Sequence, residues 1–227
     1  MKTLSIILPT RNEEQLIEST IKSIVSFLKS KKYDYEILVI LNGSTDKTEN
    51  IVNKLKQNNK SINTFKSKPG YGYALRKGLK IAKGKYLLIY NVDFFDLELI
   101  NLVDINMYGK DFIIGSKRAH WSTDERPISR KIVSFIFNTY LAIFYGFRGS
   151  DTHGIKLMKR RVLDKIFSEC KTYSGIFDTE LVIRTQRAGF EIADFPVDIK
   201  EVRPSRFVNR LIQTPIDIYN LYKALNK

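Results

Sequence analysis

The chain has 227 residues, enough for one domain with a sizeable core. Its hydrophobic content of 43% and aromatic content of 12% exclude a disordered chain and a small scaffold that needs covalent staples. The 38 Lys and Arg against 24 Asp and Glu leave a net charge of +14, which points to an anionic partner (nucleic acid, a membrane surface or a phosphorylated substrate) or equally to a solvated basic face.

In chain order, short β-branched apolar runs alternate with segments of helical spacing, the pattern of βαβ units and a mostly parallel sheet. Leu4 to Leu8 reads as a strand, Glu13 to Leu28 as a helix, Tyr35 to Leu41 as a strand, and Asp46 to Leu55 as a helix capped by Ser44 or Asp46. A weak strand follows at Ile62 to Phe65, then a Gly-rich turn and helix over Gly70 to Gly84. Lys85 to Tyr90 has the continuous apolar character of a central parallel strand. Ligands of such sheets sit beyond the carboxyl ends of the strands, so Pro9 to Glu14, Asn42 to Asp46 and Asn91 to Asp96 are expected to meet in one crevice.

After a further strand at Asp111 to Gly115 comes Ile132 to Phe147, 16 residues without a charge. This is shorter than the roughly 20 residues a membrane span needs. Arg130-Lys131 before it and Arg148 after it suit an interfacial helix, and its apolar character equally suits a core helix. Phe207 to Leu225 is a second amphipathic segment, with a bend expected at Pro215. Residues 117–131, 156–165 and 200–210 hold 14 of the basic residues and 4 of the acidic ones. Within them Lys159, Arg160 and Arg161 read as surface charge. The single cysteine, Cys170, excludes an intramolecular disulfide and a Cys-rich zinc site. With no signal peptide after Met1, the reading is a cytosolic protein held peripherally at the cytosolic membrane face.

The loops that carry chemistry come in a fixed order. They are Pro9-Thr10-Arg11-Asn12-Glu13-Glu14, Asn42-Gly43-Ser44-Thr45-Asp46, Lys68-Pro69-Gly70-Tyr71-Gly72-Tyr73 and Asn91-Val92-Asp93. Later come Gly115-Ser116-Lys117-Arg118, Asp151-Thr152-His153-Gly154 and Phe177-Asp178-Thr179-Glu180-Leu181, and then Ala188 to Val197 with Arg203 beyond. This series resembles family 2 glycosyltransferases of the GT-A fold, especially dolichyl-phosphate mannose synthases and dolichyl-phosphate glucosyltransferases.

The resemblance implies one α/β domain over residues 1–227, with a Rossmann-like sheet flanked by helices. Residues 1–116 would be the nucleotide-sugar half, 117–206 the acceptor half, and 207–227 a carboxyl-terminal amphipathic helix. It implies transfer of mannose or glucose, with inversion, from a GDP- or UDP-hexose to a polyprenyl or dolichyl phosphate. Donor contacts would fall on Pro9, Arg11, Glu13, Asn42, Gly43, Asp46, Gly70, Gly72, Asn91, Asp93 and Arg203. Phosphate contacts would fall on Arg118, Arg126, Ser129 and Arg130, since an arginine fork binds phosphate oxygens bidentately. Asp93 would hold Mg²⁺ or Mn²⁺, which neutralises the departing diphosphate. The metal motif departs from the family's Asp-x-Asp: Asn91 is neutral, Phe95 has no ligand atom, and Asp96 is the nearest added carboxylate.

A phosphate acceptor needs no general base, because its second pKa is about 6. A hydroxyl acceptor would need one, with Asp178 or Glu180 as candidates; their other reading is structural, at a helix start where Asp178 caps. A family member that binds nucleotide sugar without catalysis is the alternative reading. Nucleic-acid binding is not expected, since no recognition motif accompanies the charge.

Overall fold

The structure is a computed structural model that describes residues 2–116, 128–197 and 207–226, without the side chains of 129, 130 and 207–213. A seven-stranded sheet has the order β3-β2-β1-β4-β6-β5-β7. Its amino-terminal part comprises β1 (Leu4–Thr10), β2 (Tyr35–Leu41), β3 (Ile62–Lys66) and β4 (Tyr86–Ile89), all parallel. The helices α1 (Ile17–Leu28), α2 (Thr48–Asn58) and α3 (Tyr71–Ile81) connect them.

Every residue of β1 and β4 is buried, as strands covered on both faces require. Alternate side chains divide between two cores. Ile7, Leu38, Ile40, Leu87 and Ile89 join α3 on one face; Ile6, Leu8, Ile37, Val39 and Leu88 join α1 on the other.

Beyond β4 the chain forms α4 (Glu98–Asp104), β5 (Phe112–Ser116) and α5 (Ile128–Tyr145). It continues through β6 (Ile155–Lys159), α6 (Arg160–Ile166), α7 (Phe177–Arg187), β7 (Ile192–Pro196) and α8 (Phe207–Leu225). Strand β6 runs antiparallel between β4 and β5, and β7 is parallel to β5. The sheet is therefore mostly parallel with one reversed strand.

Several sequence expectations are corrected. Residues 156–165 form β6 and α6, with Lys156 buried and Lys159 and Arg160 half-buried, while Arg161 stays exposed as expected. Arg160 donates to the carbonyls of Ala82 at 2.7 Å and Gly84 at 2.9 Å, tying α6 to the turn before β4. Arg161 Nε donates to Asp111 at 3.0 Å, and Lys159 stands 3.6 Å from the same carboxylate. Helix α1 starts at Ile17 rather than Glu13 because the preceding loop is tied to a neighbouring loop. Helix α5 starts four residues before the expected Ile132 and stops before Gly146, whose φ of 65° suits a helix terminus. Helix α8 has the expected bounds and continues through Pro215. No helix among the described residues is long and apolar enough to cross a membrane.

Parallel pairing places the carboxyl ends of β1, β2 and β4 on one edge. Strand β1 lies between β2 and β4, so the sheet changes direction of growth there, the place where ligands of such sheets bind.

Candidate functional site

The loops after β1 and β2 are clasped together. Asn12, at a left-handed φ of 55°, accepts the Thr45 amide on Oδ1 at 2.8 Å, while its own amide donates to Ser44 Oγ at 3.1 Å. The Glu13 amide donates to Thr48 Oγ1 at 2.8 Å and the Glu14 amide to Asp46 Oδ2 at 3.1 Å. In return Glu14 Oε2 accepts the Lys47 amide at 3.0 Å. These bonds hold Glu13 and Asn42 buried at the strand tips, with Arg11 and Gly43 exposed beside them.

Asp46 serves the clasp and the start of α2, accepting the Thr48 amide at 3.0 Å. Burial opposes its charge, but hydrogen bonds from Thr48 and Glu14 outweigh that and hold the carboxyl below its ordinary value. Pro9 is a buried residue of β1, paired with Ile40.

The tip of β4 joins the same group. Asn91 to Phe94 form a tight turn, with the Asn91 amide donating to the Phe94 carbonyl at 3.2 Å and the Phe94 amide to the Asn91 carbonyl at 3.3 Å. Thr20 Oγ1 on α1 donates to the Val92 carbonyl at 2.8 Å, which ties this turn to the first loop's helix. Asp93 lies in the turn. Asp96, the added carboxylate, accepts the Glu98 amide at 2.9 Å at the start of α4, and Phe95 packs its ring toward Tyr90.

Beside this turn lies a cavity of about 550 Å³. Its walls are Tyr71, Asn91 and Phe94; Ser134, Phe137 and Asn138 of α5; Asp151 and His153; the Ser174 to Asp178 segment; and Asp217 of α8. Tyr71 Oη donates to Asn91 Oδ1 at 3.3 Å and also faces Asp178. Burial, then the negative charge of Asp178, pushes the Tyr71 hydroxyl well above its ordinary pKa, so it remains a proton donor.

Asn91 and Asp178 thus meet in one cavity, with Asp93 close enough to act on the same tyrosine. Glu180 does not line the cavity. It is 0% exposed and accepts the amides of Lys171 and Thr172, both at 2.8 Å, and Arg184 Nε at 2.9 Å. Its oxygens anchor a loop, which favours the structural one of its two readings. Asp178 is in the first turn of α7 but caps nothing: the residue before the helix is Ile176, and no side-chain cap bond forms.

Gly70 adopts a φ of 128° at the start of α3. At Gly72 the space that a β-carbon would take is filled by the backbone of Tyr173 and Ser174. Arg118, Arg126 and Arg203 lie outside the described residues, as do the side chains of Ser129 and Arg130.

Sequence reasoning gave no role to Tyr71, Asn138, Asp151, His153 or Asp217. Tyr71, Asp151 and His153 stood inside quoted motifs; Asn138 and Asp217 sit on helices whose only sequence signal was apolar spacing.

Glycosyl transferase family 2 matches residues 5–167. The chain belongs to that family. A glycosyltransferase AglD of Haloferax volcanii is 30% identical over 208 residues, covering 86% of this chain and 32% of that protein. A Saccharomyces cerevisiae dolichyl-phosphate beta-glucosyltransferase is 32% identical over 230 residues, covering 89% of this chain and 68% of that protein. The chain therefore spans about a third of AglD and about two thirds of the yeast protein.

Among solved structures, the family 2 chain is similar to glucosyl-3-phosphoglycerate synthase of Mycobacterium tuberculosis in complex with UDP. The TM-score is 0.74 at 19% identity, over 98% of this chain and 80% of that one. The same enzyme in complex with Mn²⁺, UDP-Glc and phosphoglyceric acid also gives 0.74. At such identity the likeness is one of fold, the GT-A architecture.

For a divalent cation, no group of three or more His, Cys, Asp or Glu side chains forms a cage among the described residues. The turn instead offers the Asp93 carboxylate and the Asn91 amide oxygen. Mg²⁺ and Mn²⁺ are commonly held by one or two carboxylates, water and substrate phosphates. This donor set fits a cation that enters with a diphosphate.

Proposed function

We propose that the family 2 chain transfers glucose, with inversion, from UDP-glucose to a polyprenyl phosphate at the cytosolic face of a membrane. The observation that carries this is the position of the cavity: the tip of β4 and Asp178 line its floor, and α5 and α8 line its sides. Both helices turn apolar residues outward. Ile128, Ile132, Phe135, Ile136 and Ile143 are exposed at one helical stripe of α5, and Ile216 and Tyr219 are exposed on α8. Such patches beside a polar cavity suit an enzyme whose acceptor has a lipid tail and a phosphate head. The relatives' names, dolichyl-phosphate beta-glucosyltransferase, support glucose and a lipid phosphate. UDP-Glc bound to a structural neighbour supports the donor.

In this reading the clasped loops after β1 and β2 hold the nucleoside. The acceptor phosphate is already anionic at neutral pH, so no side chain need remove a proton from it. Asn91 and Asp93 would hold a divalent cation, which supplies charge neutralisation for the departing diphosphate when bound.

The test is incubation with radiolabelled UDP-glucose and a short polyprenyl phosphate in detergent or vesicles with Mg²⁺. Label is expected in the lipid fraction, and none when polyprenol replaces its phosphate. Donor bound but left intact after long incubation would overturn transfer and leave a nucleotide-sugar binding module.

A further inference from the structure

Lys156 on β6 is 0% exposed, and it pairs in register with Ile89, two residues before Asn91. Its ammonium donates to the Gly154 carbonyl at 2.7 Å and stands 3.0 Å from Asp178 Oδ1. That contact is an ion pair off the hydrogen-bonding direction: Oδ1 has no hydrogen-bond partner of acceptable geometry among the described residues. Asp178 is itself 3% exposed and lines the cavity. The Tyr71 hydroxyl faces the same carboxylate.

Stability does not explain such a pair. Two buried charges are desolvated at a cost that their attraction barely offsets, and apolar residues of equal volume often serve as well or better. What the pair does provide is a carboxylate of fixed direction at the cavity wall.

We propose that Lys156 is a positioning residue that holds Asp178 as a charged acceptor for a hydroxyl of the transferred hexose. The proposal rests on the nucleotide-sugar reading above and decides between the roles open to Asp178. Proton transfer to Asp178 would leave the Lys156 ammonium buried without a counter-charge. Asp178 therefore acts by accepting a hydrogen bond.

The test compares the affinities of UDP-glucose and UDP by calorimetry in excess Mg²⁺, for wild type, Asp178→Asn, Lys156→Met, Lys156→Arg and the Lys156→Met/Asp178→Asn pair. UDP lacks the hexose and serves as the control. Lys156→Met and Asp178→Asn are each expected to weaken UDP-glucose by about tenfold, the loss of one hydrogen bond to a charged group, and to leave UDP unchanged. The double variant is expected to match Asp178→Asn alone, and Lys156→Arg to recover part of the loss.

Equal weakening of UDP and UDP-glucose in Lys156→Met, or full additivity in the double variant, overturns the positioning role. If Lys156→Met does not fold, the double variant, which buries no charge, supports the role by matching Asp178→Asn and overturns it by falling below. Wild type that fails to bind UDP-glucose overturns the donor reading itself. Wild type that binds it, with the ratio unmoved in Lys156→Met, overturns only the inference.

Discussion

Gly72 lies against Tyr173 so closely that a β-carbon on it would stand 2.4 Å from the Tyr173 carbonyl oxygen and 2.5 Å from that of Ser174. Helix α3 thus packs directly on the segment that lines the cavity. The obstruction is backbone, which cannot swing aside. Gly72→Ala is expected to destabilise the fold by roughly 1–3 kcal/mol, as overpacking does, and to lower transfer activity by displacing Ser174. Urea denaturation and a transfer assay check both; unchanged stability would mean that the segment moves freely.

Asp46 ties the loops after β1 and β2 and the start of α2, so Asp46→Ala is expected to cost about 1 kcal/mol at neutral pH, the usual value of a lost helix-start acceptor. Its folded carboxyl titrates below its unfolded value. The stabilisation is therefore present above the unfolded pKa of about 3.9 and lost as pH falls through the lower folded value. Denaturation curves at neutral and acid pH should show the gap between wild type and variant closing only as pH falls below the ordinary carboxylate value.

Asp93→Ala is expected to abolish transfer and Mg²⁺ dependence together, with the melting temperature little changed because Asp93 is a partly exposed turn residue. Asn91→Asp supplies a second carboxylate while keeping an acceptor for Tyr71. It should lower the Mn²⁺ concentration for half-maximal activity several-fold. A metal titration of activity measures both; full activity in Asp93→Ala would remove the residue from the site.

Phe135 and Ile136 are 61% and 62% exposed, so replacing both by Ser should change stability by only about 0.5 kcal/mol each. If the α5 stripe enters a membrane surface, each side chain lost from it is worth about 1.5 kcal/mol of binding, or roughly tenfold. Vesicle co-sedimentation should fall accordingly, while UDP-glucose affinity is unchanged. Equal sedimentation of variant and wild type would separate this face from the membrane.

Local pattern alone determined much here. Strand β2 and helix α8 have the expected bounds, because a β-branched run and an apolar helical spacing are properties of neighbouring residues. The order of the loops placed Glu13, Asn42 and Asp93 at one sheet edge, since parallel strands send their carboxyl ends the same way.

The tertiary structure decided the rest. It inserted β6 antiparallel beside β4, turned Arg160 from surface charge into a tie, and made Glu180 an anchor. It brought Lys156 to Asp178, Tyr71 to Asn91, and Asp217 to the cavity wall. Each of these is a contact between distant stretches of chain. Its energy depends on burial and direction in space, and neither is encoded in the spacing of adjacent side chains.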